Sequence, residues 1–552
     1  MVSANPFDAC CIEYETFFLA YDQLYNYSQE DLSPVSGLAY YPPEVSADKK
    51  TWTFKVREGV KWSDGVPFTA KDIAFTYNFI FKKDLSQFMM YLGSPASFEA
   101  PDDTTFVWKM EKPTLSPLAP PWIPILPEHI WSKFWNRDNA EIKQFRNVPA
   151  VGTGPFVLDE WQESRFWRMT ANPYYWGTKP AIDEIIFRVF QSPEAQKLAL
   201  QAGEVDFVDS LTPTVLNSLK NAPNITTHVA SPIYIDNLAF NFEGTGHPAL
   251  RDEQVRLAIA HAINKQAILD RVLLGKGVKG DSFIMPVYGK YYRQFNGTPD
   301  EIRYDPQEAE RILDEAGYID TDGDGVREMP NGGEPLKMQV TAIGAAGSRQ
   351  GAAELIAGYL NDVGFDVGFK VVSAAQGTTL WSNQDFDMYI WGWGGDPDPD
   401  FILSTFTSDQ CLWWSDGCYK DPVYDKMYEQ QHFEIDEAKR IELVKQMEKY
   451  IYEHNPELAL FYESDLQAWR TDTFEGYVFQ PAPDGSALFS FGPYSYLNLK
   501  PVSRGNGEAA GTSSEKGAAI PPIVWIGLAA VIVLWVAVSV ARRRGKHGQE
   551  TE

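Results

Sequence analysis

Residues 51–57, TWTFKVR, alternate apolar and polar side chains as a half-buried strand does, and GVKWSDGVPFTAKDIAFTYNFIF then shifts to a helical period. Asp64-Gly65 supplies a turn, Thr69 is placed to cap the helix with Asp72 three residues on, and the stripe Ile73, Tyr77, Ile80 is the face to bury. TFVWKM, FVLDEW, RFWRMTA and IDEIIFRVF read as further strands, and a helix is expected from Ser192 through Leu200. PPWIPILPEHIW carries too much proline for a regular element and reads as an extended connection ending in a short helix.

From residue 236 the pattern changes. DNLAFNF is strand-like, RDEQVRLAIAHAINKQAILDRVL reads as one strong amphipathic helix, and YDPQEAERILDEAGY as a second. KMQVTAI, GFDVGFKVV and DFDMYIWGWGG are strands separated by the helix AAELIAGYLNDV, an alternation that predicts an α/β lobe. The stretch PVYDKMYEQQHFEIDEAKRIELVKQMEKYIYEHN reads as a long helix broken near Glu434, followed by the apolar strand ELALFYES. No period of 20 to 50 residues repeats, so solenoids and propellers are not indicated.

At 552 residues the chain is too long for one ordinary domain, and 44% hydrophobic with 22% charged residues is the composition of a folded protein. A net charge of −27 argues against a nucleic-acid partner, which needs clustered Lys and Arg. Near the end, IVWIGLAAVIVLWVAVSVA (523–541) has no charge and is long enough to cross roughly 30 Å of hydrocarbon. ARRRGK follows at once, which places the tail in the cytoplasm and the bulk of the chain outside the cell membrane as a single-pass protein. SRGNGEAAGTSSEKG before it reads as a flexible tether. The opening MVSANPFDACC lacks the charged and apolar regions of a signal, so a segment upstream is expected, and Cys10 and Cys11 lack the setting for lipid attachment.

Cys411 and Cys418 bracket CLWWSDGC, and a disulfide there suits an oxidising compartment. The seven histidines are scattered singly, no CxxC pair occurs, and no nucleophile elbow or HExxH motif is present, so neither zinc nor catalysis is indicated. DTDGDGVRE places Asp320, Asp322 and Asp324 at the first, third and fifth positions of a calcium loop, with Gly325 sixth and Glu328 ninth; Asn331 holds the twelfth, where the bidentate Glu belongs. The readings are a structural calcium loop or an Asp/Gly turn. No other cofactor is implied.

Taken together, TWTFKVREGVKWSDGVPFTAKDIAFTY, GTGPFVLDEW, NPYYW, LAFNF, VRLAIAHAINKQAIL and WGWGGDPDPDF, in that order, resemble the extracytoplasmic solute-binding proteins that include the dipeptide- and oligopeptide-binding components of ABC importers, over about residues 5–500. The resemblance implies an α/β, two-lobed periplasmic-binding-protein-like fold of type II with an inserted domain. Lobe one would comprise 1–25, 150–235 and 465–500 with its first strand upstream, the inserted domain 26–149, and lobe two 236–464. A linker (501–520), a transmembrane helix (521–541) and a cytoplasmic tail (542–552) would follow. It also implies a monomer that closes on a peptide or other small solute and delivers it to an ABC permease and its ATPase subunits. By the same resemblance, Asp396 matches the carboxylate that holds a peptide's amino terminus, and Arg349 lies near the cation for its carboxylate; Trp391 and Trp393 would wall the site. An oligosaccharide receptor of the same family is the alternative, for which the aromatics would outweigh the charged pair. A membrane-anchored hydrolase or a sensor is a more distant one.

Overall fold

The structure, a computed structural model, describes residues 4–7, 14–115, 123–344, 347–488 and 491–503. Cys10, Cys11 and the apolar run 523–541 lie outside these residues. Among the described residues no helix is long and apolar enough to cross a membrane.

The alternating stretch forms the strand Thr51–Lys55 with Trp52 and Phe54 buried, and the helix Ala70–Lys83 begins at Thr69 with the expected capping box to Asp72. The strand lies in a four-stranded antiparallel sheet, in the order Glu44–Val45, Thr51–Lys55, Thr105–Met110, Pro95–Asp102. Phe156–Gln162, Phe166–Ala171 and Glu184–Arg188 form a three-stranded antiparallel sheet. One apolar cluster takes in Trp52, Tyr77, Trp108, Trp131, Phe156 and Trp167, so the two sheets share a core. Each such ring taken from water stabilises by roughly 1.5–3 kcal/mol before chain entropy is subtracted.

The later half is built on a six-stranded mixed sheet, in the order Gly277–Lys279, Glu457–Glu463, Tyr234–Phe240, Met388–Gly394, Lys337–Ile343, Asp366–Val372. Lys337–Ile343 runs parallel to both of its neighbours, and the helix Ser348–Asn361 is the crossover between it and Asp366–Val372. The remaining pairings are antiparallel. A third sheet, Phe207–Val208, Leu466–Arg470 and Ile225–Val229, continues two of these strands: 225–229 leads into 234–240, and 457–463 leads into 466–470. The chain therefore crosses between the sheets twice, side by side, at 230–233 and 464–465.

The expected single helix over 251–273 is two: Glu253–Ala262 and Lys265–Arg271. Ile263 leaves the helical region and the Asn264 side chain accepts from the Ala267 amide, capping a new start that hydrophobic periodicity does not register. The long helix further on does break near Glu434, into Pro422–His432 and Glu437–His454, with Asp436 capping the second.

Candidate functional site

Parallel strands present ligand-binding loops at their carboxyl ends, and topology gathers the chemistry there. At that edge lie Ile343, followed by Ser348 and Arg349 at the start of the crossover helix, and Gly394, followed by Asp396. The two antiparallel neighbours bring their opposite ends to the same edge, because Tyr234 pairs with both Gly394 and Glu463, and Asp236 pairs with Gly392. This is also the edge at which the chain crosses to the other sheet.

Asp396 is half-buried beside two tyrosines that sequence patterns did not single out. Burial pushes the hydroxyls of Tyr27 and Tyr288 far up, and the Asp396 charge pushes them further, so both rings stay neutral beside the carboxylate. Tyr27 comes from the strand Tyr25–Tyr27, more than 360 residues earlier. Gly395 is packed on the other ring: a Cβ there would lie 2.4 Å from Tyr288 Cε2 and 2.3 Å from Met285 Cε. The Tyr288 hydroxyl is buried with no hydrogen-bond partner among the described residues, which costs about 1–3 kcal/mol unless a partner arrives.

Trp393 donates from Nε1 to Asp416 Oδ2 at 2.9 Å and packs edge-on to Phe401 at 5.8 Å, with Trp414 beside both. Asp416 also accepts from the Tyr389 hydroxyl at 2.7 Å and from Asn237 Nδ2 at 3.0 Å. Burial pushes the carboxyls of Asp416 and Glu457 up, and Asn237 Nδ2 bridges the two by donating to both. Cys411 and Cys418 are bridged, with Cα atoms 4.3 Å apart, and the loop they close carries Trp414 and Asp416.

Arg349 is not an open cation. Its Nε donates to Asp236 Oδ1 at 2.6 Å, its Nη1 to the Ile343 carbonyl at 3.0 Å, and the guanidinium lies over the Trp391 ring, 5.2 Å from its centre. Glu463 stands next to this pair, accepting from the Ser348 hydroxyl at 2.9 Å. Its carboxyl is pushed up to about 7 by burial and by the neighbouring Asp236 charge.

Asp398 and Asp400 are held by partners of their own. Arg440 grips Asp398 with two bonds of 2.7 Å, and Asp400 takes His432 Nδ1 at 2.9 Å and Gln431 Nε2 at 2.7 Å. Asp398 Oδ1 also accepts the Asp400 amide at 3.0 Å, fixing the start of the short helix Asp400–Ser404. The Asp398 charge also adds to the upward push on Tyr27, and Asp400 accepts from the Tyr428 hydroxyl at 3.2 Å.

The carboxylate oxygens of Asp320, Asp322, Asp324 and Glu328 lie within 4.8 Å of one another. Asp320 accepts from the Gly323 and Gly325 amides at 2.7 and 2.9 Å, and both glycines have φ near +90°, a conformation that other residues resist. Glu328 is buried and accepts from Thr321. An all-oxygen, acidic set suits a hard cation such as Ca²⁺. The loop precedes Lys337, at the amino end of the parallel strands, so a seven-residue strand of about 23 Å separates it from the edge that carries Asp396.

Residues 33–412 match the family described as bacterial extracellular solute-binding proteins, family 5 middle, and the chain belongs to that family. A putative ABC transporter peptide-binding protein of Brucella abortus is 34% identical over 284 residues, 51% of this chain and 51% of that protein, so the chain spans about half the length of such relatives in the match. The dipeptide-binding protein of Escherichia coli is 27% identical over 466 residues, covering 79% of this chain and 82% of that one. Among solved structures, the oligopeptide-binding protein AppA of Bacillus subtilis in complex with a nonapeptide superposes with a TM-score of 0.77 at 22% identity, over 90% of this chain and 96% of that one. A periplasmic oligopeptide-binding protein of Thermotoga maritima with bound mannohexaose gives 0.77 at 23% identity, over 91% and 96%. The fold is the two-lobed α/β fold of periplasmic binding proteins.

Proposed function

We propose that this protein is the extracytoplasmic solute-binding component of an ABC importer, that it takes a peptide by its amino terminus at Asp396, and that it passes the solute to a permease driven by ATPase subunits without chemistry of its own. The observation that carries the reading is the half-buried Asp396 carboxylate, near enough to Tyr27 and Tyr288 for its charge to raise both hydroxyls, with the buried Tyr288 hydroxyl left for a polar group. An ammonium sealed from water needs such an opposite charge, because an unpaired buried ion is very costly. The protein acts as a monomer, held at the cell membrane by residues 523–541, with its tail in the cytoplasm.

A second reading is an oligosaccharide receptor. The clustered faces of Trp393, Trp414 and Phe401 favour it, as does the mannohexaose carried by the Thermotoga maritima neighbour. Titration calorimetry separates the two, using trialanine, its N-acetyl copy and mannohexaose with the parent and Asp396→Asn. Acetylation and the substitution should each remove roughly 3–5 kcal/mol, two to four decades of affinity. Equal binding of both peptides to the parent would exclude an ammonium at Asp396, and tight mannohexaose binding would then establish the saccharide reading.

A further inference from the structure

Between the candidate ammonium site and the position where a short peptide would end, the protein has answered its own cation. Asp236 is buried, its side chain 4% exposed, whereas the Arg349 side chain bonded to it is 28% exposed. The guanidinium can lie flat across the strand because residue 392 is glycine: a Cβ there would come within 2.5 Å of Arg349 Nη2 and 3.1 Å of Asp236 Oδ1. The Ile343 carbonyl and the Trp391 ring hold it from two further sides. Glu463 adds a second carboxylate on the neighbouring strand, and among the described residues it makes no ion pair. One cation thus faces two carboxylates.

Gly392, over which Arg349 rests, is four residues before Asp396, at most about 14 Å along the chain. An extended tripeptide spans about 10 Å from its ammonium to its carboxylate. A tripeptide held at Asp396 therefore covers most of that maximum separation and brings its far end toward this cluster. A carboxylate arriving there would have to take the guanidinium from Asp236, leaving that buried charge unpaired.

We propose that Asp236 sets the ligand range by neutralising Arg349, so that the site takes peptides without requiring a free C-terminal carboxylate and accepts amidated or longer chains as well as free acids. Asp236 acts through Arg349 and does not touch the ligand itself. This rests on the peptide reading above and specifies its substrate class.

The test is calorimetry with trialanine, trialanine amide and N-acetyl-trialanine on the parent and on Asp236→Asn, with thermal melts to confirm that the variant is folded. In the parent, acid and amide should bind within about threefold of each other, while the N-acetyl peptide loses at least a hundredfold. In Asp236→Asn the freed guanidinium should favour the acid over the amide by tenfold or more, a ratio that a merely structural role of Asp236 would leave unchanged. A parent that prefers the acid by tenfold, or a variant with an unaltered ratio, overturns the proposal while the acetylation effect keeps the peptide reading intact. The parent comparison decides the matter by itself should the variant fail to fold. If none of the peptides binds the parent, both readings fall together.

Discussion

Arg440→Met tests whether the loop that carries Asp396 is held by charge. The Arg440 side chain is 5% exposed and gives Nη1 and Nη2 to the two oxygens of Asp398 at 2.7 Å each, with Nη2 4.0 Å from Asp400 Oδ1. Its Nε donates to Gln431 at 3.2 Å and its Nη1 to the Tyr291 hydroxyl at 3.2 Å. Methionine fills much of the volume but leaves Asp398 without its partner in a mostly buried setting. Removing one member of such a pair costs about 3–5 kcal/mol; Asp398 is 20% exposed, so water recovers part of that and about 3 kcal/mol is expected. That is a large share of the roughly 5–15 kcal/mol that holds a folded protein. Urea unfolding of the parent, Arg440→Met, Asp398→Asn and the double variant measures it as a cycle. The double variant should recover about half of the loss, because the stranded carboxylate is gone. A loss below 1 kcal/mol in Arg440→Met, or no recovery in the double variant, would refute the view that this ion pair fixes the loop.

The same loop should show a pH window. Burial lowers the His432 pKa, but the Asp400 charge outweighs burial and leaves it raised above about 6.5; its contribution is therefore complete below that value and is lost as pH rises through the folded pKa. Asp400 is depressed: burial would raise it, and His432 and Arg440 more than compensate, so its contribution is complete above about 3.8 and is lost as pH falls through the folded pKa. Thermal melts should thus show a loss above the histidine range that His432→Gln abolishes, and an unchanged slope in that variant would remove the assignment. Ca²⁺ should raise the midpoint of the parent and not of Asp320→Asn, while peptide affinity survives chelation; an affinity that chelation lowers and Ca²⁺ restores would contradict the separation of the two sites. Deleting residues 521–552 should move the protein from the membrane fraction to the medium, and persistent membrane association would show that another segment anchors it.

Sequence alone determined what depends on neighbours in the chain. The alternation in TWTFK, the Thr69–Asp72 capping box and the break between His432 and Glu437 are set by side chains within four residues of one another, and period and cap chemistry report them directly. The same locality explains the miss at Ile263 and Asn264, where one cap interrupts an apolar stripe that runs on without a change of period. At the site, WGWGGDPDPDF marked the loop and the resemblance marked Asp396, but nothing local distinguished Asp396 from Asp398 and Asp400. Which carboxylate is neutralised was decided by the tertiary structure: Arg440 meets Asp398 across 42 residues, and Asp236 meets Arg349 across 113. Tyr27 comes under the influence of Asp396 because it joins the apolar cluster that also takes in Ile235, Tyr288 and Phe491, residues far from it along the chain. The energy of a charge depends on its distance from other charges and from water, and for groups so far apart along the chain the fold alone sets both.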